Sequence, residues 1–261
     1  MSEDAKQTMN QTVIVTGASR GLGAAVARIV GEMGARVVVT ARSEDKLAEV
    51  VTAIQAAGGA AIAVPGDISD PVVVRAVVDA AITHFGQLDA IVNNAGVLEP
   101  ITRIAETDAH DWQHNWTINV LAPVMLTQAA LPHLRAQKGR VINISSGAAV
   151  SAKIGWGAYC TTKAALNMFN STLALEEPVI TALAVRPGMV DTEMQALIRR
   201  EGDSAMTEQD HAFFVGHHQQ GEIPAPAIPG RAIAILALYA PPEWSGEFIR
   251  WDDERVETLI S

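Results

Sequence analysis

The sequence predicts an α/β fold: a doubly wound parallel sheet with helices on both faces, in a single domain spanning residues 1–261. Two observations predict it. Short apolar, β-branched runs alternate with longer amphipathic stretches along the chain, and strict β–α alternation calls for parallel strands covered on both sides. Hydrophobic residues make up 49% and charged residues 18% of the 261, which excludes disordered and fibrous classes and supplies one large core.

The elements follow in order. Thr12 to Thr16 reads as a strand and about Leu22 to Met33 as a helix. Arg36 to Thr40 is the second strand. The next helix opens after Ser43, with Glu44 and Asp45 in the first turn where the macrodipole favours acids, and stops at Gly58-Gly59. Ala60 to Val64 is the third strand. Asp70 caps the following helix and Pro71 takes its first position; Val73, Val74, Val77, Val78, Ala81 and Ile82 recur at helical spacing. Ala90 to Val92, Arg140 to Ile144 and Thr181 to Val185 read as buried strands, with helices near Asp108 to Arg135 and Tyr159 to Glu176. Glu201 to Pro229, with three prolines and three histidines, reads as irregular, part of a substrate loop or lid over about 193–229. The first ten residues or so read as a flexible N-terminus without a secretory h-region.

Nineteen basic against twenty-nine acidic side chains give a net charge of -10, which disfavours nucleic acid as a partner. No apolar run is long enough for a bilayer. The lone Cys160 permits no internal disulfide. These features describe a cytoplasmic protein.

In a parallel sheet with right-handed crossovers, ligands bind outside the strands' C-terminal ends. Just there, Thr16-Gly17-Ala18-Ser19-Arg20-Gly21-Leu22-Gly23 joins the first strand to the first helix. Glycines allow a tight turn and close backbone approach, and the helix N-terminus attracts phosphate. An ordinary strand-to-helix turn is the plain alternative, which the β-α-β setting disfavours. Asn93-Asn94-Ala95-Gly96 follows the fourth strand and Asn119 lies in the next long helix. Ser146 precedes Tyr159 by thirteen residues, Tyr159 and Lys163 are spaced Tyr-x-x-x-Lys, and Pro187-Gly188 follows the sixth strand.

These motifs, in this order over roughly residues 12 to 192, resemble the short-chain dehydrogenase/reductase family, which implies a Rossmann-type fold. Asn143 to Ser146, Gly155 to Cys160, Ala174 to Pro178 and Asp191 to Gln195 look closer to sepiapterin reductase-like carbonyl reductases. Those enzymes carry a pterin-anchoring aspartate near the C-terminus; Arg250 stands at that place, with Asp252 and Asp253 nearby.

The resemblance implies a nicotinamide dinucleotide held by Gly17, Ser19, Arg20, Gly21, Leu22, Gly23, Arg42, Asp67, Ile68, Asn93, Ala95, Gly96, Tyr159, Lys163, Pro187, Gly188, Val190 and Thr192. Val39-Thr40-Ala41-Arg42-Ser43 has no acid where one would repel a 2′-phosphate. Arg42 and Arg20 can both meet such a phosphate, which points to NADP(H) over NAD; both could otherwise be solvated surface arginines. Asp67 is equally an adenine contact or a plain helix-start residue.

Tyr159 and Lys163, four apart, share one helix face. An alkoxide formed from a carbonyl needs a proton, and a phenol near pKa ~10 must be lowered to exchange it readily; an ammonium and the oxidised nicotinamide favour the phenolate. Ser146 would bind the carbonyl oxygen. By resemblance, Asn119 holds a water that links Lys163 to solvent. Ser145 competes with Ser146, and Cys160 reads as a packed small side chain rather than a nucleophile. Ser146, Trp156, Tyr159 and Met189 would contact substrate, and Phe213, Phe214 and Trp251 are further candidate walls. His211, His217 and His218 show no ligand spacing, so no metal is expected.

The expected activity is NADPH-dependent reduction of a small apolar or aromatic ketone or aldehyde. The alternatives are an oxidative alcohol or steroid dehydrogenase and a non-catalytic NADP(H)-sensing regulator. Val124, Met125, Ala129, Ala130, Ala164, Ala165, Met168 and Phe169 make two helices apolar around more than one face, which predicts a homodimer or homotetramer.

Overall fold

The computed structural model describes Thr8 and residues 10–260; apart from Thr8 and Asn10, the segment expected to be flexible lies outside the described residues. In chain order the elements are β1 (Thr12–Thr16), α1 (Gly21–Glu32), β2 (Arg36–Ala41), α2 (Glu44–Ala56), β3 (Ala60–Pro65), α3 (Pro71–Phe85), β4 (Ala90–Asn93), α4 (Ala109–Trp116), α5 (Ala122–Gln137), β5 (Arg140–Ile144), α6 (Gly157–Glu176), β6 (Thr181–Arg186), α7 (Glu193–Glu201), α8 (Glu208–Gln219), α9 (Ala227–Tyr239), β7 (Phe248–Arg250) and α10 (Glu254–Glu257). The strands form one seven-stranded sheet in the order β3-β2-β1-β4-β5-β6-β7, every pair parallel.

Strand alternation builds two cores. Val13 and Val15 of β1 face α1, α2 and α9, while Ile14 between them joins Val77, Leu126 and Leu134 on the opposite face. A third cluster, with Leu98, Trp156, Tyr159, Leu197, Ile198, Met206 and Phe214, lies beyond the strand ends.

Two expectations need correction. The helix expected near Asp108 to Arg135 is interrupted between α4 and α5 by a π turn over Thr117–Leu121. Pro123 has no N–H to close the usual bond back to Asn119, and Ala122 donates instead to the Thr117 carbonyl, five residues back. The stretch Glu201 to Pro229 is largely helical: α7 ends within it, α8 fills it and α9 begins in it. Its prolines misled the expectation. Pro229 sits in the first turn of α9, where no intrahelical bond needs its N–H. No helix among the described residues is long and apolar enough to cross a membrane.

Candidate active site

The strand order reverses between β1 and β4, so the connections leaving them diverge and open a crevice at their C-terminal ends. A cleft of about 1070 Å³ lies there. Its walls include Gly17, Ser19, Arg20, Gly21, Leu22, Gly23, Arg42, Asp67, Ile68, Ala95, Gly96, Ser146, Trp156, Tyr159, Lys163, Pro187, Gly188, Val190 and Thr192. Among the residues expected at the site, Asn93, Asn119, Met189, Phe213, Phe214 and Trp251 do not line it.

The glycine loop is shaped for a dinucleotide. Gly17 has φ +65°, and a Cβ there would stand 2.9 Å from the Ala95 Cα. The Arg20 side chain makes no capping bond at the start of α1, which leaves the first-turn amides for phosphate oxygens. The loop is pinned from β4: Asn94 Nδ2 donates to the Thr16 carbonyl at 2.8 Å, and the Thr16 hydroxyl accepts from the Asn94 and Ala95 amides, both at 3.0 Å. Asn93 turns inward instead. It is 3% exposed and donates to Asn143 Oδ1 at 2.8 Å, so its side chain joins two strands rather than holding a ligand.

Arg20 and Arg42 are exposed on the cleft rim, and among the described residues neither is held in an ion pair. Lys46 and His114, which the sequence reading missed, also line this end. Asp67 Oδ1 accepts from the Ser69 amide at 2.9 Å and hydroxyl at 2.8 Å. Burial alone would raise the Asp67 carboxyl, but these two bonds, with Arg42 and His114, hold it below its ordinary value. The Asp67 carboxylate closes the turn before α3, whose cap is Asp70, and the residue borders the cleft.

At the other end, Tyr159 and Lys163 project from α6, with the Lys163 Nζ 5.6 Å from the Tyr159 ring centroid. Nζ donates to the Ile144 carbonyl at 2.7 Å. Burial pushes the phenol up to about 12, against the lowering effect of the Ser146 hydroxyl. Among the chain's own groups burial outweighs the lowering contacts; the lowering expected from the sequence also drew on the positive charge of the oxidised nicotinamide. The same burial brings the lysine down to about 8. Ser146 accepts from the Ala148 amide at 3.1 Å, whereas the Ser145 hydroxyl is spent on Asn167 Oδ1 at 2.6 Å. Asn119 is fully buried; its Oδ1 accepts from the Val97 amide at 2.9 Å and its Nδ2 donates to the Val97 carbonyl at 2.8 Å.

Trp156 meets Tyr159 edge-on at 5.9 Å, and Phe214 of α8 packs on Trp156 at 5.5 Å. Met189 packs into the same cluster behind the wall, and Phe213 is half-exposed. Trp251 is no substrate wall. It borders a second groove beside α9, and its Nε1 stands 3.3 Å from where a Cβ on Gly188 would be, so it buttresses the Pro187-Gly188 turn. Arg250 ends the edge strand and pairs with Asp252 at 2.6 Å, and Asp253 caps α10; none of the three lines the cleft, so no pterin anchor comes from this segment. His217 pairs with Glu222, His211 bonds the Arg199 carbonyl, and no metal-holding group of three ligands occurs among the described residues.

The sequence profile described as short chain dehydrogenase matches residues 11–203. The chain belongs to that family. It is an oxidoreductase, and the family's nicotinamide dinucleotide fits the glycine cradle described above. An uncharacterized oxidoreductase of Schizosaccharomyces pombe is 39% identical over 94% of this chain and 98% of its own. A benzil reductase, (S)-benzoin forming, of Bacillus cereus is 34% identical over 92% and 99%. The crystal structure of a short chain dehydrogenase/reductase from Saccharomyces cerevisiae superposes with a TM-score of 0.91 at 34% identity, covering 96% of this chain and all of that one.

Proposed function

We propose that this chain is an NADPH-dependent carbonyl reductase acting on ketones or aldehydes of small apolar or aromatic molecules. One observation carries the reading: a buried phenol that keeps its proton, flanked by Ser146 and Lys163 in a cleft whose far rim carries two exposed arginines. A reduced nicotinamide dinucleotide held by the glycine loop would supply the hydride that the carbonyl carbon accepts. Ser146 donates a hydrogen bond to the carbonyl oxygen, and Tyr159 passes its proton to that oxygen as negative charge develops. The Lys163 ammonium stabilises the phenolate left behind. A phenol held protonated suits reduction, where it acts as acid, better than alcohol oxidation, where it must begin as base. Trp156 offers an aromatic wall, and the relative named for benzil supports an aryl ketone as substrate. By the family resemblance Asn119 would hold a water that reconnects Lys163 to solvent, beside the protein contacts its side chain already makes. The same reading makes the protein a cytoplasmic homo-oligomer.

The cofactor half is tested by comparing kcat/KM for NADPH and NADH with benzil. NADPH is preferred in the wild type. Arg42→Asp replaces a phosphate partner with a repelling charge and shifts the ratio toward NADH by about tenfold or more, on the scale of one charge-assisted bond. An unchanged ratio shows that Arg42 does not read a 2′-phosphate.

A further inference from the structure

Asn115 lies on α4 one turn before Asn119, is fully buried, and does not line the cleft. Its carboxamide is nevertheless saturated. Oδ1 accepts from Asn119 Nδ2 at 2.7 Å and from the Thr162 hydroxyl at 2.8 Å. Nδ2 donates to the Glu99 carbonyl at 2.9 Å and reaches the Val97 and Leu98 carbonyls at 3.3 Å. One amide thus touches three parts of the site. Val97 lines the cleft and Leu98 packs in the cluster with Trp156 and Tyr159. Thr162 precedes Lys163 on α6, and its hydroxyl also lies 3.0 Å from the Tyr159 carbonyl. Asn119 Oδ1 and the Lys163 Nζ approach one point, 3.1 and 3.6 Å from where a Cβ on Gly96 would be.

We propose that Asn115 is a positioning residue that locks the loop 97–99, the π turn carrying Asn119 and the catalytic helix α6 into one register. Packing alone would be served by a leucine. An amide buried without access to water is worth its desolvation only if all its donor and acceptor positions are met, and here they are met by partners from three separate elements. A threonine hydroxyl tied from outside the helix fixes the rotation of α6 about its axis. That rotation decides whether Lys163 stays dry against the Ile144 carbonyl. The groups facing Lys163 are the Tyr159 phenol on its own helix, the Ile144 carbonyl from β5 and the Asn119 amide from the π turn; burial is what lowers its proton affinity.

The inference rests on the proposed roles of Tyr159 and Lys163, so its test has a readout independent of turnover. NMR of the full chain with carbon-labelled lysine follows the titration of Lys163 directly. In the wild type the midpoint is near 8. In Asn115→Ala, water reaches the loosened helix face and the midpoint moves up by about one unit or more, toward that of an ordinary lysine. If benzil is turned over, kcat per cofactor-binding site falls about tenfold while NADPH affinity stays within about twofold, as for a displaced catalytic group. Thr162→Val removes one arm of the network with little change of shape. It shifts the midpoint the same way by less, and it decides the matter if Asn115→Ala does not fold. A merely structural role lowers the melting temperature and leaves the midpoint where it was. An unmoved midpoint in the folded variants overturns the proposal whether or not benzil is a substrate, and absence of wild-type turnover counts only against the functional reading.

Discussion

Tyr159 and Lys163 feel the same burial in opposite directions: the phenol is pushed up to about 12 and the ammonium down to about 8. Both shifts disfavour the charged form. The kinetic consequence is a base-side limb set by lysine. Below about pH 8 the ammonium is present and supports proton release from Tyr159. Above it the charge is lost, so kcat/KM for carbonyl reduction falls as pH rises, and a pH–rate profile that stays flat through about pH 10 contradicts this. The sign for stability is opposite. The unfolded lysine binds its proton more tightly than the folded one, so between about 8 and the ordinary 10.5 the unfolded chain carries more protons. Stability from this group therefore rises with pH across that window. The sequence singled out Ser146 and Arg42 just after strands and Tyr159 and Lys163 by their four-residue spacing, and the structure brings all four to one cleft. The height of the phenol's pKa was not legible there, because burial of Tyr159 depends on Leu98, Leu197 and Phe214, which are distant in sequence. Asn115 was hidden for a similar reason. Only its four-residue spacing to Asn119 hints at a pair, and its other partners come from α6 and the loop after β4.

Among the elements, those with end signals were legible. α3 starts as its sequence dictates: Asp70 Oδ1 accepts from the Val72 amide at 2.8 Å and Pro71 holds the first position. Asp70→Ala removes that cap and costs about 1 kcal/mol of stability. A denaturant midpoint indistinguishable from wild type contradicts the capping role. Elements without amphipathic patterning were missed. α8 places Ala212, Phe213, Phe214 and Val215 in a row, so no stripe marks a buried face. From Ala232 to Leu238 α9 is apolar and buried at every position, packing between the sheet and α1, and periodicity has nothing to report there. The π turn needed the joint effect of Pro123 and the partners of Asn119. These misses fall on the parts that cover the sheet's far edge and the substrate end. The elements of the cofactor half, alternating strands and helices from β1 to β4, were read almost to the residue.

For the molecule as a whole, the fold leaves apolar side chains on α6 that its own core does not take up. Met168 is 67% and Leu175 84% exposed, and Trp116 and Leu121 lie half-open at the end of α4 and in the π turn. Phe169, Met125 and Ala129 are partly buried against the core instead. Pairing two such faces across a two-fold axis would cover them and brace α6 in both copies. Light scattering gives a mass of at least twice 27.6 kDa if so, and the single-chain mass if the proposed oligomer is wrong. The central claim is a reaction of the whole protein, in which a cofactor held at one end of the cleft meets a buried acid at the other. It is tested most directly by mixing wild type and Tyr159→Phe with NADPH and benzil, and following nicotinamide absorbance together with product formation. The wild type consumes NADPH and forms benzoin in equal amounts. The phenylalanine variant binds NADPH equally well and is slower by about 100-fold or more, the scale of a lost general acid. Comparable rates from the two proteins contradict the account.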